Sequence, residues 1–551
     1  MRSLPMFRLI CETLSLHVGV CALATGTLLV ASCYAQTGSE SAHLADMILH
    51  ARAADGASWS EDIGLELEGL DAAWYNTANG DYFRFVKTKV DSVLAADAPT
   101  GSIGTNSNIL FARQLLLLYR VTLDPKYYKA AAAIRAQLAG GCDDASASRD
   151  TICTAEAFLA EYAAVFQEPQ EFANITRAFE QWDRVAGGGA RESEGSSSSR
   201  AAVSSLAAAL TDALAYYPRD DQGRAKLIRI LGRIADGSFK PMSSPERCML
   251  TYAIAKAVRL GYLPTSDSAV ASRITKSIGS VADGGGPSGA ELLVASESDL
   301  APGATLGRAQ TVLLDAWYNS QQRKNAAGQM EFFHYKWSDM ADSGYSLLGH
   351  LFESFGAATD TLYSSPTRAT LDKAQYYIIA SPDIPVKNPN PHYMTPAEAE
   401  QIASWVKDGG VLIMMENDPP NADISHLNML ADRFGLHFDD VLHHHILGEQ
   451  VEDGRIPVDG KGPLFHRPHT LYMKDTCAIS LREPAIALLR DRGDVVMASA
   501  HYGRGTVFAA VDPWLYNEYT DGRKKPEIYK QFDNFAGGRE LVQWLLQQRP
   551  H

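Results

Sequence analysis

The feature that most constrains the fold of this chain is a change of hydrophobic pattern near residue 284. From about residue 41 to 263, apolar residues recur at helical spacing, as in Ile109, Ala112 and Leu116. Spacings of three and four residues predict amphipathic helices. We expect eight to ten helices in this region, with a surface loop at Gly187–Gly189 and Ser196–Ser199. Helical hairpins stacked into a toroid or barrel would bury the apolar faces and leave a cleft at one end.

After Gly284–Gly286 the chain contains short runs of continuous apolar residues, which predict buried strands. The five predicted strands are Thr311–Ala316, Tyr376–Ala380, Val411–Met415, Val495–Ala498 and Thr506–Val511. Helical stretches lie between several of them, at Ser346–Phe355, Pro396–Lys407 and Ser425–Phe434. Strands that alternate with helices predict a doubly wound, flavodoxin-like and mostly parallel sheet.

Polar residues follow three of these strands and are expected at the carboxyl edge of the sheet, where α/β proteins bind ligands. They are Asp315, Ser381 and Asp512. Two interpretations stay open for them, a functional role and simple capping or turn formation. No cysteine nucleophile follows a strand, since Cys477 lies in a Lys-Asp-Thr-Cys segment. We therefore interpret this half as non-catalytic.

Composition and charge exclude several classes of protein. The 551 residues are 46% hydrophobic and 21% charged, which is ordinary for a globular chain with room for two to four domains. The formal net charge of −15 argues against non-specific nucleic-acid binding. The chain lacks a Gly-rich phosphate loop, and neither its Cys residues nor His443–His445, His466 and His469 have metal-site spacing. We predict neither a cofactor nor a metal.

The amino terminus has the pattern of an export signal. Arg2 and Arg8 precede an apolar stretch of residues 18–31, and Ala35 is suited to cleavage before Gln36. About 14 apolar residues are too few to span a bilayer, which needs about 20. We predict a signal peptide over residues 1–35 and a secreted or periplasmic protein. Cys33 also fits a bacterial lipoprotein cleavage box, so a membrane-anchored lipoprotein is the alternative.

Carboxylates are the best candidates for chemistry in the helical half. Asp150 lies directly before an apolar helical segment, where burial could raise its pKa and suit it to general acid catalysis. The simpler interpretation is that Asp150 only caps the helix.

Several segments of the helical half resemble the unsaturated rhamnogalacturonyl hydrolases of glycoside hydrolase family 105. These segments are Leu115–Arg120, Asp124–Tyr128, Ala155–Tyr162 and Tyr252–Leu263. The similarity covers roughly residues 59–263 and continues less firmly to 297. The second half resembles the glutamine-amidotransferase-like α/β domain that is appended to some members.

The resemblance implies an (α/α)₆ barrel over residues 41–300 and an amidotransferase-like domain over residues 308–548. It also implies a small acidic oligosaccharide as the substrate, with a Δ4,5-unsaturated galacturonyl sugar at its non-reducing end. In that family an Asp protonates C4 and assists addition of water at C5, and the hemiketal then collapses and releases rhamnose. Asp150 aligns with this Asp, and we assign Arg200 and Trp74 to substrate binding.

The chain departs from the family at several positions of the implied cleft. Thr151 stands where a Gly is expected after the catalytic Asp, and Cys153 and Thr154 replace an aromatic residue and a Met. Ser and Ala residues of the segment Ser198–Ser205 replace an aromatic platform. Two hypotheses follow, a glycosidase that uses Asp150 and a catalytically impaired protein that binds carbohydrate or serves as a scaffold. An intracellular regulator or amidotransferase is a third, which the export signal argues against.

Overall fold

A computed structural model describes residues 39–53, 56, 58–96, 106–138, 149–189, 197–236, 243–267, 287–300, 310–448, 450–513 and 530–549. The predicted export signal and Cys33 lie outside these ranges. None of the helices within them has the length and apolarity needed to cross a membrane.

The first half is helical, as predicted. Its described helices are α1 (Glu40–Arg52), α2 (Glu61–Thr77), α3 (Gly80–Ala95), α4 (Asn106–Thr122), α5 (Pro125–Leu138), α6 (Arg149–Val165), α7 (Glu171–Gly189), α8 (Ser197–Leu214), α9 (Gln222–Ala235), α10 (Ser244–Arg259) and α11 (Gly289–Ser298).

Local sequence signals account for several helix ends. The Asp124 carboxylate accepts a hydrogen bond from the Lys126 backbone N–H at 2.9 Å, and Pro125 is the first residue of α5. Gly261 follows α10 with φ +72°, a conformation that favours glycine. The loop predicted at Gly187–Gly189 is wrong, because α7 continues through all three glycines. Gly costs only about 1 kcal/mol in a helix, which neighbouring turns can offset.

Six of the helices form a closed succession of packing neighbours. Each of α2, α4, α6, α8, α10 and α11 packs against the next, and α11 packs against α2. The helices α1, α3, α5, α7 and α9 pack against members of this group. We call the six helices the inner ring. The apolar faces between the helices form two buried clusters, one around Trp74 and Leu116 and one around Leu210 and Leu231.

The second half is a mixed α/β domain. Its strands are β1 (Gln310–Asp315), β2 (Gln322–Lys324), β3 (Met330–Phe332), β4 (Ala357–Leu362), β5 (Tyr376–Ala380), β6 (Val411–Met415), β7 (Leu436–His443), β8 (Arg455–Val458), β9 (His469–Tyr472), β10 (Thr476–Leu481), β11 (Ile486–Asp491), β12 (Asp494–Tyr502) and β13 (Gly505–Ala510). Its helices are α12 (Ser346–Ser354), α13 (Arg368–Leu371), α14 (Pro396–Lys407), α15 (Ile424–Ala431) and α16 (Asn534–Gln547).

The main sheet has seven strands in the order β11-β12-β13-β6-β5-β1-β4. The five strands from β13 to β4 are parallel, whereas β11 and β12 extend the sheet as antiparallel strands. Counted along the chain, the parallel strands lie in the order 2-1-3-4-5. All residues of β5 and β6 are buried, as expected for strands covered on both faces.

All five predicted strands and the three predicted helices between them are present. The prediction missed the strands β2, β3, β4 and β7 to β11. Most of these are partly exposed, as in β2, so they lack the continuous apolar run that identifies a buried strand. The main sheet is mostly parallel, as predicted, with β11 and β12 as an antiparallel extension at one edge.

The α/β domain contacts the carboxyl-terminal ends of inner-ring helices. The Tyr75 hydroxyl lies 2.9 Å from Ser346 Oγ, and His350 Nε2 lies 2.9 Å from Asn76 Oδ1. The hydroxyl of Tyr119, near the end of α4, accepts a hydrogen bond from the Ala326 backbone N–H at 2.7 Å. Helix α12 therefore covers the end of the ring at which α2 terminates.

Candidate functional site

A cavity of about 220 Å³ lies at the carboxyl-terminal end of the inner ring. Its lining residues on α2, α4, α6, α10 and α11 lie in the middle or the carboxyl-terminal part of those helices. Tyr216, just after α8, completes the ring, and Met340 and His350 come from the α/β domain. The lining includes four basic and four acidic side chains, namely Arg113, Arg120, Lys256, Arg259, Glu68, Asp71, Glu161 and Glu297.

Ion pairs between neighbouring helices organise most of these charges. Arg113 contacts Glu68 at 2.9 Å and Asp212, just behind the lining, at 3.0 Å. Lys256 donates to the same Asp212 carboxylate at 2.8 Å. Burial opposes ionisation of Asp212, but the Lys256 and Arg113 charges outweigh it and lower its pKa to about 2. Asp212 is thus a permanently charged anchor between α4 and α10.

Two further pairs line the cavity wall. Arg120 of α4 contacts Glu161 of α6 at 3.1 Å. Arg259 of α10 donates two hydrogen bonds of 2.8 Å to Glu297 of α11. Such bidentate pairs are geometrically specific as well as strong. Each of the four basic side chains that line the cavity therefore has a carboxylate partner among the described residues.

Asp71 differs from the other carboxyl groups of the cavity. Its Oδ1 atom is buried, and within the described part of the chain it has neither a hydrogen bond nor an ion pair. Burial, reinforced by the Glu161 charge, raises the pKa of Asp71 to about 7. Burial also raises the pKa of Glu68, one helical turn away, to about 7, although Arg113 opposes the shift. The cavity thus holds two carboxyl groups that can exchange protons near neutral pH.

His350 closes the cavity from the side of the α/β domain. Its ring packs edge-on against Tyr75, with centroids 5.4 Å apart. Burial, together with the positive charges of Arg259 and Arg539, lowers the pKa of His350 to about 3. His350 is neutral at physiological pH and serves as a hydrogen-bonding partner of Asn76 rather than as a charge.

The predicted catalytic Asp150 and substrate-binding Arg200 are at the opposite end of the ring. Asp150 is the second residue of α6, and Arg200 is in the first turn of α8, a helix that packs against α6. The side chains of both residues lie outside the described residues. At 1.5 Å per residue, Asp150 is roughly 16 Å along the helix from Glu161 in the cavity. The backbone therefore brings Asp150 and Arg200 to one end and separates them from the cavity.

Trp74, the third predicted site residue, belongs to the core. Its side chain is 0% exposed and packs against Tyr75 and Phe83, with ring centroids 4.8 and 5.0 Å away. An indole without exposed surface cannot stack on a sugar in this conformation. The neighbouring Tyr75, rather than Trp74, lines the cavity.

The polar residues predicted at the carboxyl edge of the sheet are there, and they are buried. The Asp315 carboxylate accepts hydrogen bonds from the backbone N–H of Tyr318 and the hydroxyl of Tyr377, at 2.8 and 2.7 Å. Asp512 accepts a hydrogen bond from the Lys474 backbone at 2.8 Å. Ser381 has φ +45°, and its Oγ has no hydrogen-bond partner among the described residues. The contacts of Asp315 and Asp512 are those expected of residues that cap or form turns, which is the simpler of the two interpretations left open by the sequence.

Histidines that were considered as metal ligands contact different carboxylates. His443 pairs with Asp494 at 2.7 Å, and His445 pairs with Asp475 at 2.8 Å. No group of three or more His, Cys, Asp or Glu side chains suited to a metal ion occurs in the described ranges.

The cavity residues were not identified from the sequence, although a signal for them exists. Glu68, Asp71 and Tyr75 recur at the spacing of one helix face, as do Tyr252, Lys256 and Arg259. Charged residues within the buried stripe of an otherwise apolar helix are unusual and expensive unless they are paired. Such residues, taken together from several helices, would have indicated a polar interior.

Comparisons with known proteins found similarity to solved structures over part of the chain. No family model and no curated protein matches the chain. A family 105 glycoside hydrolase of Clostridium acetobutylicum (C. acetobutylicum ATCC 824) is 20% identical over 47% of this chain and 99% of its own, with a TM-score of 0.38. A family 88 glycosyl hydrolase from Bacteroides vulgatus is 13% identical over 47% of this chain and 99% of its own, with a TM-score of 0.37.

A third similar structure is a possible member of family 105 from Salmonella enterica. It is 14% identical over 44% of this chain and 83% of its own, with a TM-score of 0.36.

Proposed function

We propose that this protein is an exported glycoside-hydrolase-like protein of pectin breakdown, with an (α/α)₆ barrel joined to a flavodoxin-like domain. It would hydrolyse unsaturated galacturonyl disaccharides by protonation and hydration of the C4=C5 double bond, with Asp150 as the proton donor and Arg200 as a binder of the sugar carboxylate. The sequence segments that resemble family 105 support this proposal.

The observation that carries the proposal is the position of Asp150 and Arg200 in the first turns of two adjacent inner-ring helices. A carboxyl group and a guanidinium at one end of a helical ring can act on one anionic sugar, because Arg binds carboxylates through paired hydrogen bonds. The proton donor must be protonated at the working pH and within hydrogen-bond reach of the reacting carbon.

The proposal is tested with lyase-generated unsaturated rhamnogalacturonan disaccharide. Loss of the absorbance of its conjugated double bond is followed with the intact protein, with Asp150→Asn and with the control Asp220→Asn, which changes an exposed carboxylate between α8 and α9. We expect absorbance loss that Asp150→Asn abolishes and Asp220→Asn retains. An Arg200→Ala variant should raise KM more than it lowers kcat, because it removes a binding contact.

The second candidate is a protein of the same fold that binds carbohydrate without turnover. The replacement of cleft residues, including Thr151 and Cys153, favours it. Loss of donors and of an aromatic platform could cost about 3 kcal/mol of transition-state stabilisation, or roughly a hundredfold in rate. No absorbance loss at high protein concentration, with folding confirmed by circular dichroism, would refute the hydrolase and favour this candidate.

Export is a separate part of the proposal. We expect the mature protein, recovered from the periplasm or the medium, to begin at Gln36. An acylated mature protein that begins at Cys33 would identify it as a membrane-anchored lipoprotein instead. Mass spectrometry of the amino-terminal peptide distinguishes these outcomes.

A further inference from the structure

The cavity at the carboxyl-terminal end of the inner ring has features that the proposed hydrolase does not use. It is roughly 16 Å from Asp150 along α6, and helix α12 of the α/β domain covers it. Five inner-ring helices, Tyr216 after α8 and the α/β domain all supply lining residues, so the cavity forms only when the two halves of the chain pack together.

The charges of this cavity are balanced except at one position. Arg113, Arg120, Lys256 and Arg259 each have a carboxylate partner, so none is available to neutralise an incoming anion without breaking a pair. Asp71 is the exception, because among the described residues it is the one charged side chain of the lining that has no ion-pair partner. Its buried Oδ1, like Gln114 Oε1 and Ser296 Oγ of the same lining, has no hydrogen-bond partner among them. A buried polar oxygen without a donor is unfavourable, and a hydroxyl that donates to it removes that penalty.

Three tyrosines and several polar groups complete the lining. Tyr75, Tyr216 and Tyr252 all contribute to the wall. The Tyr252 hydroxyl donates to Asp212 at 2.8 Å and accepts from Lys256 at 2.7 Å, which orients the phenol. Aromatic faces offer apolar contact area, while the surrounding carboxylates and guanidinium groups offer acceptors and donors. Alternation of apolar faces and polar edges is complementary to a ring that carries hydroxyl groups.

The volume limits the size of the ligand. A cavity of about 220 Å³ corresponds to about seven waters at about 30 Å³ each. It is smaller than the sites of about 300–1,000 Å³ that enclose drug-sized molecules. One sugar ring fits this volume, whereas a disaccharide exceeds it.

We propose that this cavity is a second ligand site, which binds an uncharged polyhydroxylated molecule of monosaccharide size through a hydrogen bond from a ligand hydroxyl to Asp71. The paired basic side chains disfavour a uronate, because none of them can neutralise its carboxylate without breaking an ion pair. The site therefore selects a different chemical class from the anionic disaccharide proposed for the Asp150 end, and it does not depend on that activity.

The test is isothermal titration calorimetry of the intact protein with galactose, rhamnose, galacturonate and glucosamine, each used separately. We expect saturable binding of at least one neutral sugar and weaker or no binding of galacturonate. Asp71→Leu removes the hydrogen-bond acceptor and keeps a side chain of similar volume, so it should weaken the binding of the neutral sugar at least tenfold. Ala72→Leu, which extends a side chain of the lining into the cavity, should abolish binding. The control Asp91→Asn removes a carboxylate from an ion pair of α3 outside the cavity and should bind as the unmodified protein does.

Four results would overturn the proposal. The first is the absence of saturable binding by any neutral sugar, and the second is tighter binding of galacturonate or glucosamine than of the neutral sugars. The third is unchanged binding in both Asp71→Leu and Ala72→Leu. The last is loss of binding in Asp150→Asn while the cavity variants retain it. The first would mean that the cavity holds water only, and the last would assign the binding to the other end of the ring. Circular dichroism of each variant checks that it is folded.

Discussion

Two glutamates on helix α6, five residues apart and similarly buried, should respond in opposite ways to the same substitution. Glu156 is 8% exposed, and no ion pair to it occurs among the described residues. The Glu161 side chain is 7% exposed and pairs with Arg120 at 3.1 Å. Burial, with a further contribution from the Glu171 charge, raises the pKa of Glu156 from 4.5 to about 8. The structure therefore predicts that ionisation of Glu156 destabilises the fold.

The magnitude follows from proton linkage. The unfolded chain loses the Glu156 proton above about pH 4.5, whereas the folded chain keeps it up to about pH 8. A raised carboxyl pKa therefore lowers the free energy of unfolding as the pH rises through this window, by about 1.4 kcal/mol per pH unit. Gln resembles the protonated acid and does not titrate. We expect Glu156→Gln to exceed the unmodified protein in stability by about 1 kcal/mol at pH 5 and about 4 kcal/mol at pH 8.

Glu161→Gln is the matched control. It removes the partner of Arg120 and leaves a guanidinium with a 20% exposed side chain uncompensated in the cavity wall. Breaking a buried pair in this way costs about 3–5 kcal/mol, so this variant should be less stable than the unmodified protein at both pH values.

The assay is urea denaturation followed by far-ultraviolet circular dichroism at pH 5, 6, 7 and 8. A stability difference for Glu156→Gln that does not grow with pH would refute the assignment of the raised pKa to Glu156. A destabilised Glu156→Gln at pH 8 would refute the inference that its ionised form is unpaired.

Three further substitutions test other parts of the structure, each by urea denaturation or by the midpoint of thermal unfolding. In Gly289→Ala the new Cβ would lie 2.3 Å from the Leu65 carbonyl carbon, so we expect a loss of about 1–3 kcal/mol or more and an opening of the contact between α11 and α2. In Gly232→Ala the nearest atom is a Leu263 side-chain carbon at 4.0 Å, so the substitution should stabilise α9 by about 0.5–1 kcal/mol. Equal effects of these two substitutions would contradict the packing described for α11. Asp212→Asn should cost about 3–5 kcal/mol at pH 7, because it leaves Lys256 without a carboxylate partner among the described residues and Arg113 with Glu68 alone. The pKa of Asp212 is depressed to about 2, so its contribution is present above about pH 4 in the unmodified protein and is lost as the pH falls towards 2. A loss of stability in Asp212→Asn that is as large at pH 2 as at pH 7 would contradict the depressed pKa of Asp212.

The sequence by itself determined the type and approximate limits of most large elements. The apolar runs of β5 and β6, the proline at the start of α5 and the glycine after α10 are local signals. Each of these signals acts within a few residues, through hydrogen bonding, backbone conformation or burial on one face. It can therefore be recognised in the sequence without knowledge of the fold. The predicted carboxyl-edge residues Asp315 and Ser381 follow from the same reasoning.

Only the tertiary structure decided which side chains meet. Trp74 and Tyr75 are adjacent in the chain, yet one is fully buried in the core and the other lines the cavity. The Asp212 network joins α4, α8 and α10 across many intervening residues. The antiparallel strands β11 and β12 have their place in the sheet because β12 pairs with β13 and β11 pairs with β12, not because of their own sequence pattern. The cavity depends on the closure of six helices into a ring and on the docking of α12. No local signal encodes such packing, because its energy arises from contacts between segments far apart in sequence.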